Sequence, residues 1–352
     1  YPRAMREKIM TADACIDLTP VREAMAGLEI SPRVAPNEQI NLERVFFPNG
    51  HRSVLDTRRQ LVIGNRGVGK SFWTHALTNP AVREQLANTY GFSNLAKTEV
   101  AIGFNGSVKR STRTPTIEEV QAAHSSGINP EVIWQAAILR AVRSAPRPSE
   151  PEFSATVTRL NAHPGEYATE LSAIDDEHAR NGSYVLIVFD ALDRLALDWA
   201  VIRKLTKGLL LTVLGLQSFL RVRAKVFMRV DQFADVELFR FPDSSKIRND
   251  RVDLAWRPFE LYGLLIFELL RRTTASPVLE HLADTLDARS ALPRKGSART
   301  DLQKQEILVN AIGGEYMGRG AKRGRVYSWV PLHLGDAANH CSPRTFLTAW
   351  KT

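Results

Sequence analysis

Cysteine and long apolar segments are both scarce in this sequence. Only Cys15 and Cys341 occur among its 352 residues. Two thiols so far apart do not suggest a disulfide framework, and the composition favours a reducing, cytoplasmic environment. The most apolar segment, 208–220, contains Gln217 and is shorter than the roughly 20 residues needed to span a bilayer. We therefore expect no membrane partner and interpret this segment as a helix of the protein core.

Charged residues of both signs are present in ordinary amounts. They make up 24% of the chain, and hydrophobic residues make up 44%, as in soluble globular proteins. The 47 basic and 38 acidic residues give a net charge of +9, which permits contact with nucleic acid or an acidic partner without requiring it. The length is sufficient for two domains. Many basic residues crowd the C-terminal third: Arg289, Arg294, Lys295, Arg299, Arg319, Lys322, Arg323 and Arg325.

The most informative motif is a glycine-rich segment between a predicted strand and a predicted helix. It fits the pattern Gly-x-x-x-x-Gly-Lys-Ser/Thr and follows the apolar run 61–63. Glycines allow successive backbone N–H groups to converge on phosphate oxygens, and the helix N-terminus adds the positive end of its dipole. In this pattern Lys70 reaches the β- and γ-phosphates, and the Ser71 hydroxyl binds Mg²⁺. The residues predicted to bind a nucleoside triphosphate here are Gly64, Asn65, Arg66, Gly67, Val68, Gly69, Lys70, Ser71 and Phe72.

A second motif lies at the end of another apolar run, 185–189. Asp190 follows this run directly, at the sheet edge where a carboxylate can hold Mg²⁺ through water; a simple strand cap is the alternative. Asp193 either polarises the attacking water or serves as the N-cap of the next helix. The predicted metal ligands are Ser71 and Asp190, and the predicted catalytic residues include Lys70, Asp190 and Asp193.

Two arginines are further candidates for contact with phosphate. Arg229 and Asp231 end the fourth predicted strand, where either could sense the γ-phosphate, and Arg229 is taken as a catalytic candidate. A solvated strand end is the alternative. The run Ser342, Pro343, Arg344 has the pattern of an N-cap, a first-turn proline and a first-turn arginine. A cation there opposes the helix dipole, which indicates that Arg344 has an anionic partner, either a carboxylate or the nucleotide phosphates.

Five apolar runs separated by helical patterns predict an α/β fold with a parallel sheet covered on both faces. Thr116 and Glu119 have the spacing of a capping box at the start of one of the helices. We predict an N-terminal extension (1–43), a core (44–272) and a mostly helical lid domain with a basic hairpin or loop (273–352). The predicted strands are 61–63, 98–104, 184–190, 225–230 and 252–254.

Together these motifs resemble those of P-loop ATPases of the AAA+ and STAND group. The resemblance is to bacterial members that are distantly similar to origin-recognition-like and KAP-type ATPases. It covers residues 44–350 and rests on the glycine-rich motif, on 190–193, on Arg229 with Asp231, on 254–256 and on 342–344. The resemblance implies a five-stranded parallel sheet in the order 5-1-4-3-2, followed by a helical lid. It also implies that Arg344 is a sensor-2-like arginine over the nucleotide.

The resemblance also implies how such a site is completed. Members of the group commonly act as nucleotide-driven switches or ring motors in anti-phage defence, DNA transactions or signalling. Ala191 and Arg194 stand at positions where related proteins carry glutamate, and these departures bear on the rate of hydrolysis rather than on binding. An arginine from a neighbouring subunit often completes the site. The candidates for that role are Arg221, Arg223, Arg240 and Arg248.

The predicted function is that of an ATP-binding and ATP-hydrolysing P-loop ATPase, acting as a conformational switch or an oligomeric motor. The sequence contains no Asn-Lys-x-Asp run of the kind that recognises guanine in small GTPases, and ATP with Mg²⁺ is the expected ligand. One alternative is a nucleotide-stabilised scaffold that recruits an effector or nucleic acid with little turnover. Another is a kinase-like phosphotransferase. We expect a homo-oligomer or an effector protein as partner.

The basic segment 319–325 has two interpretations. It precedes an apolar run, 326–330, which we predict to be a strand. The arginines, beside Tyr327 and Trp329, could grip a phosphate backbone while the rings stack on bases, which makes nucleic acid a candidate partner. Alternatively, the segment is a solvated loop and the aromatic rings belong to the core of the lid.

Overall fold

The polypeptide folds into two units, each with its own hydrophobic core. The helical unit comprises Tyr1–His51, Arg66–Val68 and Ala255–Thr352, and the sheet unit comprises Arg52–Asn65 and Gly69–Leu254. The three predicted segments of the chain remain a prediction. The structure is a computed structural model, and the residues that it describes are 8–10, 15–29, 45–109, 111–143, 152–293, 301–336 and 339–351.

The sheet unit is built on five parallel strands, which confirms the predicted α/β class with a parallel sheet. The strands are β1 (Lys8–Met10), β2 (Cys15–Asp17), β3 (Leu61–Ile63), β4 (Thr98–Phe104), β5 (Tyr184–Phe189), β6 (Val222–Met228) and β7 (Val252–Asp253). Strands β1 and β2 form a separate antiparallel pair. The order across the parallel sheet is β4-β5-β6-β3-β7, which reads 5-1-4-3-2 from the β7 edge when these five strands alone are numbered along the chain.

Helices separate the strands of the sheet along the chain and make up most of the helical unit. In chain order the helices are α1 (Thr19–Ala26), α2 (Lys70–Thr78), α3 (Pro80–Tyr90), α4 (Ser93–Ala96), α5 (Ile117–Ser125), α6 (Pro130–Val142), α7 (Phe153–Ala162), α8 (Gly165–Arg180), α9 (Trp199–Gly215), α10 (Val230–Ala234), α11 (Ser244–Asn249), α12 (Pro258–Leu270), α13 (Ser276–Thr285), α14 (Leu302–Gly313), α15 (Val326–His333) and α16 (Pro343–Lys351). Helices α2 to α11 belong to the sheet unit, and the others belong to the helical unit.

Local sequence signals begin several of these helices. The Thr116 hydroxyl accepts a hydrogen bond from the Glu119 N–H at 3.2 Å, and the Glu119 carboxylate accepts one from the Thr116 N–H at 2.8 Å. This reciprocal pair confirms the predicted capping box of α5. Asn129 caps α6 through its side chain, and Asp198 does the same for α9. Each bond satisfies a backbone donor that the first helical turn leaves unpaired.

The core of the sheet unit lies where α6 packs against β4, β5 and α9. Trp134 of α6 is fully buried and makes edge contacts with Phe104 and Phe189 at ring-centroid distances of 5.7 and 5.8 Å. Its indole N–H donates to the Leu205 carbonyl of α9 at 2.7 Å. The ring therefore fills the space between helix and sheet while its one polar atom is satisfied. This packing fixes the strand that delivers Asp190.

The helical unit is organised around Tyr262 of α12. Its ring stacks on Tyr327 with centroids 4.6 Å apart and meets Phe346 edge-on at 5.0 Å. The Tyr327 hydroxyl donates to the side chain of Gln305. The predicted strand at 326–330 is wrong, because these residues lie in helix α15, where Tyr327 faces α12 and α14. A short apolar run fits either element, and the stacking on Tyr262 is a tertiary contact that the run itself does not reveal.

The apolar segment 208–220 lies mostly in α9, as predicted for a core helix. Six of the residues from Gly208 to Leu216 are buried in the sheet unit. Within the described part of the chain, no helix combines the length and the apolar character needed to cross a membrane.

Candidate functional site

The glycine-rich motif forms the loop between β3 and α2. The Gly64 N–H continues the sheet by donating to the Met228 carbonyl at the end of β6, at 3.1 Å. Gly67 has φ +80° and Gly69 has φ +108°, a region that residues with a Cβ rarely adopt. Helix α2 begins at Lys70, with Gly69 as its N-cap residue. The first backbone N–H groups of α2 therefore open onto this loop, where helix geometry leaves them without intrahelical partners.

The side chain of Lys70 reaches back to the first two residues of the loop. Its Nζ donates hydrogen bonds to the carbonyl oxygens of Gly64 at 2.6 Å and Asn65 at 2.9 Å. Burial lowers the pKa of Lys70 from its ordinary value, while the carboxylates of Asp190 and Asp193 act in the opposite direction. The ammonium group is thus held beside the loop and close to two acidic side chains.

Ser71 and Asp190 are brought together, as the sequence predicts for a shared metal ion. Asp190 follows β5 and is 8% exposed. Its Oδ2 accepts hydrogen bonds from the Ser71 hydroxyl at 3.2 Å and the Thr74 hydroxyl at 3.4 Å. Its Oδ1 accepts one from the Ala191 N–H at 2.7 Å. A hydroxyl and a carboxylate at this separation are the hard oxygen donors that suit Mg²⁺.

Asp193 and Arg229 form an ion pair at the same edge of the sheet. Arg229 Nη1 lies 3.3 Å from Asp193 Oδ2, and its Nε and Nη2 contact the two oxygens of Asp231 at 2.9 and 2.6 Å. The hydrogen bond to Asp231, followed by that to Asp193, raises the pKa of Arg229. The N-cap interpretation of Asp193 is wrong, because Asp193 lies in a short 3-10 turn and Asp198 caps α9. Arg229 follows strand β6 and is paired, so it is not simply a solvated strand end.

The backbone conformation of Ala191 is a feature that the sequence did not predict. It lies between Asp190 and Asp193 in the chain and has φ +59° and ψ +34°, a left-handed conformation that is strained for a residue with a Cβ. Gly106 packs beside it, since a Cβ added there would lie 3.0 Å from the Ala191 Cβ and 3.2 Å from the Arg194 Cδ. Such strain at a strand end is often found at functional sites, and no pattern of residue types signals it.

In the helical unit, Arg344 lies near the middle of the glycine-rich loop. A Cβ added at Gly67 would be 3.3 Å from the Ser342 Oγ and 3.4 Å from the Arg344 Cβ. Ser342 accepts a hydrogen bond from the Thr345 N–H at 3.1 Å, which confirms the predicted N-cap of α16. Arg344 is exposed, and no carboxylate of the described residues forms an ion pair with it. A phosphate partner for Arg344 stays a prediction.

Trp256 contacts the loop through a hydrogen bond that the sequence did not predict. Its indole Nε1–H donates to the Val68 carbonyl oxygen at 3.0 Å, within the helical unit. The motif places Val68 in the loop, but nothing in either segment pairs it with a residue 188 positions away. The signal available was only that Trp256 follows the last strand of the sheet.

The four arginines considered for a role in trans have different surroundings. Arg221 lies over the Tyr184 ring at 4.5 Å, and Arg223 donates to the Val222 carbonyl at 2.9 Å, both at the amino end of β6. Arg240 pairs with Glu237 at 2.7 Å, while Arg248 lies over two phenylalanine rings. The action of one of these arginines in trans therefore stays a prediction.

The charged side chains of the basic segment 319–325 are exposed. Arg325 pairs with Glu306 at 3.0 Å, and Tyr316 and Arg325 form an antiparallel bridge. Tyr327 belongs to the core of the helical unit, as the solvated-loop interpretation expects. Trp329 is half-buried and stacks on His333 at 3.8 Å.

No protein-family model, curated protein or solved structure matches this chain. What the site does must therefore be inferred from its own geometry. One sheet edge carries a glycine-rich loop, a helix N-terminus, a lysine, a hydroxyl–carboxylate pair and an arginine held by two carboxylates. Among the residues with described positions, no three His, Cys, Asp or Glu side chains form a metal site by themselves.

Proposed function

We propose that this chain binds ATP with Mg²⁺ at the glycine-rich loop and hydrolyses it, as a P-loop ATPase of the AAA+ or STAND type. The observation that carries the proposal is the Ser71–Asp190 contact beside the Lys70 ammonium. A loop of this composition also occurs as a plain turn, but a turn needs neither a carboxylate 119 residues away in the chain nor a half-buried lysine bonded to the loop carbonyls. Binding of polyphosphate explains all three features together.

Phosphate recognition would use the loop and Lys70. The amides at the start of α2 donate to phosphate oxygens, and Lys70 exchanges its bonds with the Gly64 and Asn65 carbonyls for bonds with the β- and γ-phosphates. Ser71 and Asp190 fit a Mg²⁺ ion, which usually keeps several waters and phosphate oxygens as its remaining ligands. When bound, this ion supplies neutralisation of charge on the phosphates. That mode of binding does not require a group of three protein carboxylates.

Hydrolysis would use Asp193 and Arg229. Asp193 either orients the attacking water or accepts its proton. Arg229 stabilises the charge that develops on the γ-phosphate. In the structure these two side chains bind one another, and Asp231 holds Arg229 from the other side. Turnover then requires the Arg229–Asp193 pair to separate when phosphate enters. We therefore expect slow turnover by the isolated chain, with a partner subunit or effector accelerating it.

A scaffold with negligible turnover is the second candidate function. It is favoured by the neutralisation of Asp193 through Arg229 and by the absence of glutamate at positions 191 and 194. In this case nucleotide stabilises one conformation that recruits an effector or nucleic acid. The exposed basic segment 319–325 is the proposed contact for nucleic acid, and cytoplasmic anti-phage defence or DNA transactions are the proposed settings.

The deciding experiment combines binding and turnover in two variants. Lys70→Ala removes the phosphate-binding ammonium, so calorimetry should show at least about tenfold weaker Mg·ATP binding. Asp190→Asn should chiefly remove metal-dependent phosphate release. The exposed residues Lys204 and Asp176, changed to Ala and Asn, are matched controls. If Lys70→Ala binds Mg·ATP as tightly as the unaltered chain, the proposed site is wrong.

A concentration series separates the ATPase from the scaffold. Phosphate release per chain that rises with protein concentration indicates a site shared between subunits, as in an oligomeric motor. Tight binding of Mg·ATP with no release at any concentration supports the scaffold instead. Identification of a co-purified nucleotide by mass spectrometry would report on the base.

A further inference from the structure

The bond from Trp256 to the glycine-rich loop is not explained by the motif or by the proposed reaction. Val68 is buried, and the carbonyl that accepts the bond belongs to the residue two positions before Lys70. Trp256 is half-buried at the start of the segment that leads into α12. Its single polar atom is satisfied by a backbone carbonyl of this loop, so the bond ties the loop to the segment before α12.

Two aromatic rings hold the indole in place. Phe46 stacks on Trp256 with ring centroids 6.2 Å apart and planes at 19°, and His51 meets it edge-on at 5.2 Å. Phe46 in turn packs against Phe267 of α12 at 5.6 Å. Because the indole is covered by these rings, its rotation is restricted and its N–H stays directed at the Val68 carbonyl.

Peptide geometry transmits this bond into the loop. The Val68 carbonyl and the Gly69 N–H belong to one trans peptide, and in a planar trans peptide these two groups point in opposite directions. A carbonyl held by Trp256 therefore turns the Gly69 N–H away from the indole. Gly69 is the N-cap residue of α2, so its N–H is one of the donors that the helix leaves available for an anion.

We propose that Trp256 is a positioning residue, which directs the Gly69 N–H at the phosphates of the bound nucleotide. The inference rests on the proposed function and deepens it. Because the effect runs through the backbone of the phosphate-binding loop, it concerns the phosphate chain and not the base. The ligand class affected is thus any Mg²⁺-bound triphosphate, with or without a nucleoside.

The test compares two tryptophan-to-phenylalanine variants. Trp256→Phe keeps an aromatic ring against Phe46 and His51 but removes the N–H donor, and Trp199→Phe is the control at an exposed tryptophan. Calorimetric titration with Mg·ATP and with Mg·tripolyphosphate should show about tenfold weaker binding of both by Trp256→Phe, because one bond to a buried carbonyl is lost. The control should bind both ligands as the unaltered chain does. Weakening confined to ATP, or no weakening, would overturn the proposal.

A second substitution separates the hydrogen bond from the packing. Replacing Trp256 with 3-benzothienyl-alanine preserves the shape of the indole and exchanges the N–H for sulfur, so a folding defect of Trp256→Phe does not obscure the result. The same tenfold loss, within about a factor of two or three, is expected. Full affinity of this analogue would refute the positioning role while leaving the proposed function intact. If the unaltered chain binds neither Mg·ATP, Mg·GTP nor Mg·tripolyphosphate, the proposed function fails, and this inference fails with it.

Discussion

Acidification should destabilise the helical unit through a single buried histidine. The His51 side chain is fully buried, and burial lowers its pKa to about 4, against a weaker opposing effect of a hydrogen bond to the Ala255 backbone. In the unfolded chain the same group has an ordinary pKa of 6.5. Between these two values the unfolded state binds a proton that the folded state does not, so stability decreases as the pH falls from 6.5 towards 4.

The magnitude follows from the two pKa values. At about 1.4 kcal/mol for each pKa unit, the fall from 6.5 to about 4 corresponds to about 3 kcal/mol of unfolding free energy. Because the group is not exposed, solvent screening does not reduce this figure as it would at the surface. About 60% of the loss should already be present at pH 5, since His51 is then charged in almost every unfolded molecule.

Urea unfolding at pH 7, 6 and 5 would measure this effect. His51→Gln removes the titrating group, so it should be less stable than the unaltered chain at pH 7 but should lose less stability on acidification. His281→Gln, at an exposed histidine of the same unit, is the control and should keep the full pH dependence. Equal pH dependence of the unaltered chain and His51→Gln would refute the reasoning.

Four further changes test the packing and the backbone. Thr116→Ala should cost about 1 kcal/mol in urea unfolding by removing the cap of α5. Gly208→Ala should lower the melting temperature, because the new Cβ would lie 2.5 Å from Pro130, and overpacking costs about 1–3 kcal/mol. Gly215→Ala, in the same helix and with nothing within 4 Å of its Cβ, should raise it. Ala191→Gly should also raise it, because glycine relieves the left-handed strain; a decrease would contradict that strain.

Features that follow from local spacing, or from the shared edge of a parallel sheet, could be predicted. The capping box of Thr116 and Glu119 is a local pairing, so its spacing was sufficient. The parallel sheet followed from apolar runs separated by helical patterns, and the contact between Ser71 and Asp190 followed because both end strands or begin helices at one sheet edge. These predictions needed no knowledge of particular side-chain conformations.

Tertiary contacts between residues outside these motifs could not be predicted. The pairing of Arg229 with Asp193 spans 36 positions, and the bond between Trp256 and Val68 spans 188. Neither separation leaves a periodic pattern in the sequence. The left-handed conformation of Ala191 is equally invisible, because alanine has no preference for it and only the surrounding structure imposes it. These residues determine the geometry of the candidate site, whereas the motifs indicate only where in the chain it lies.

The balance of charge around Lys70 leads to a last prediction, on metal dependence. Lys70 and Arg229 lie among three carboxylates, those of Asp190, Asp193 and Asp231, so these five side chains together carry one negative charge in excess. The Asp190 carboxylate beside Ser71 therefore opposes the binding of a triphosphate that lacks a metal ion. Chelation of Mg²⁺ with EDTA should weaken ATP binding by at least about tenfold.

Asp190→Asn should reverse part of this dependence of ATP binding on Mg²⁺. The variant loses a negative charge next to the phosphates, so it should bind metal-free ATP severalfold more tightly than the unaltered chain, but Mg·ATP more weakly. Calorimetric titrations of both proteins with and without EDTA would reveal this crossing pattern, and Asp176→Asn should not show it. If Asp190→Asn weakens both forms of ATP equally, its carboxylate supports the fold of the loop and does not hold the metal ion.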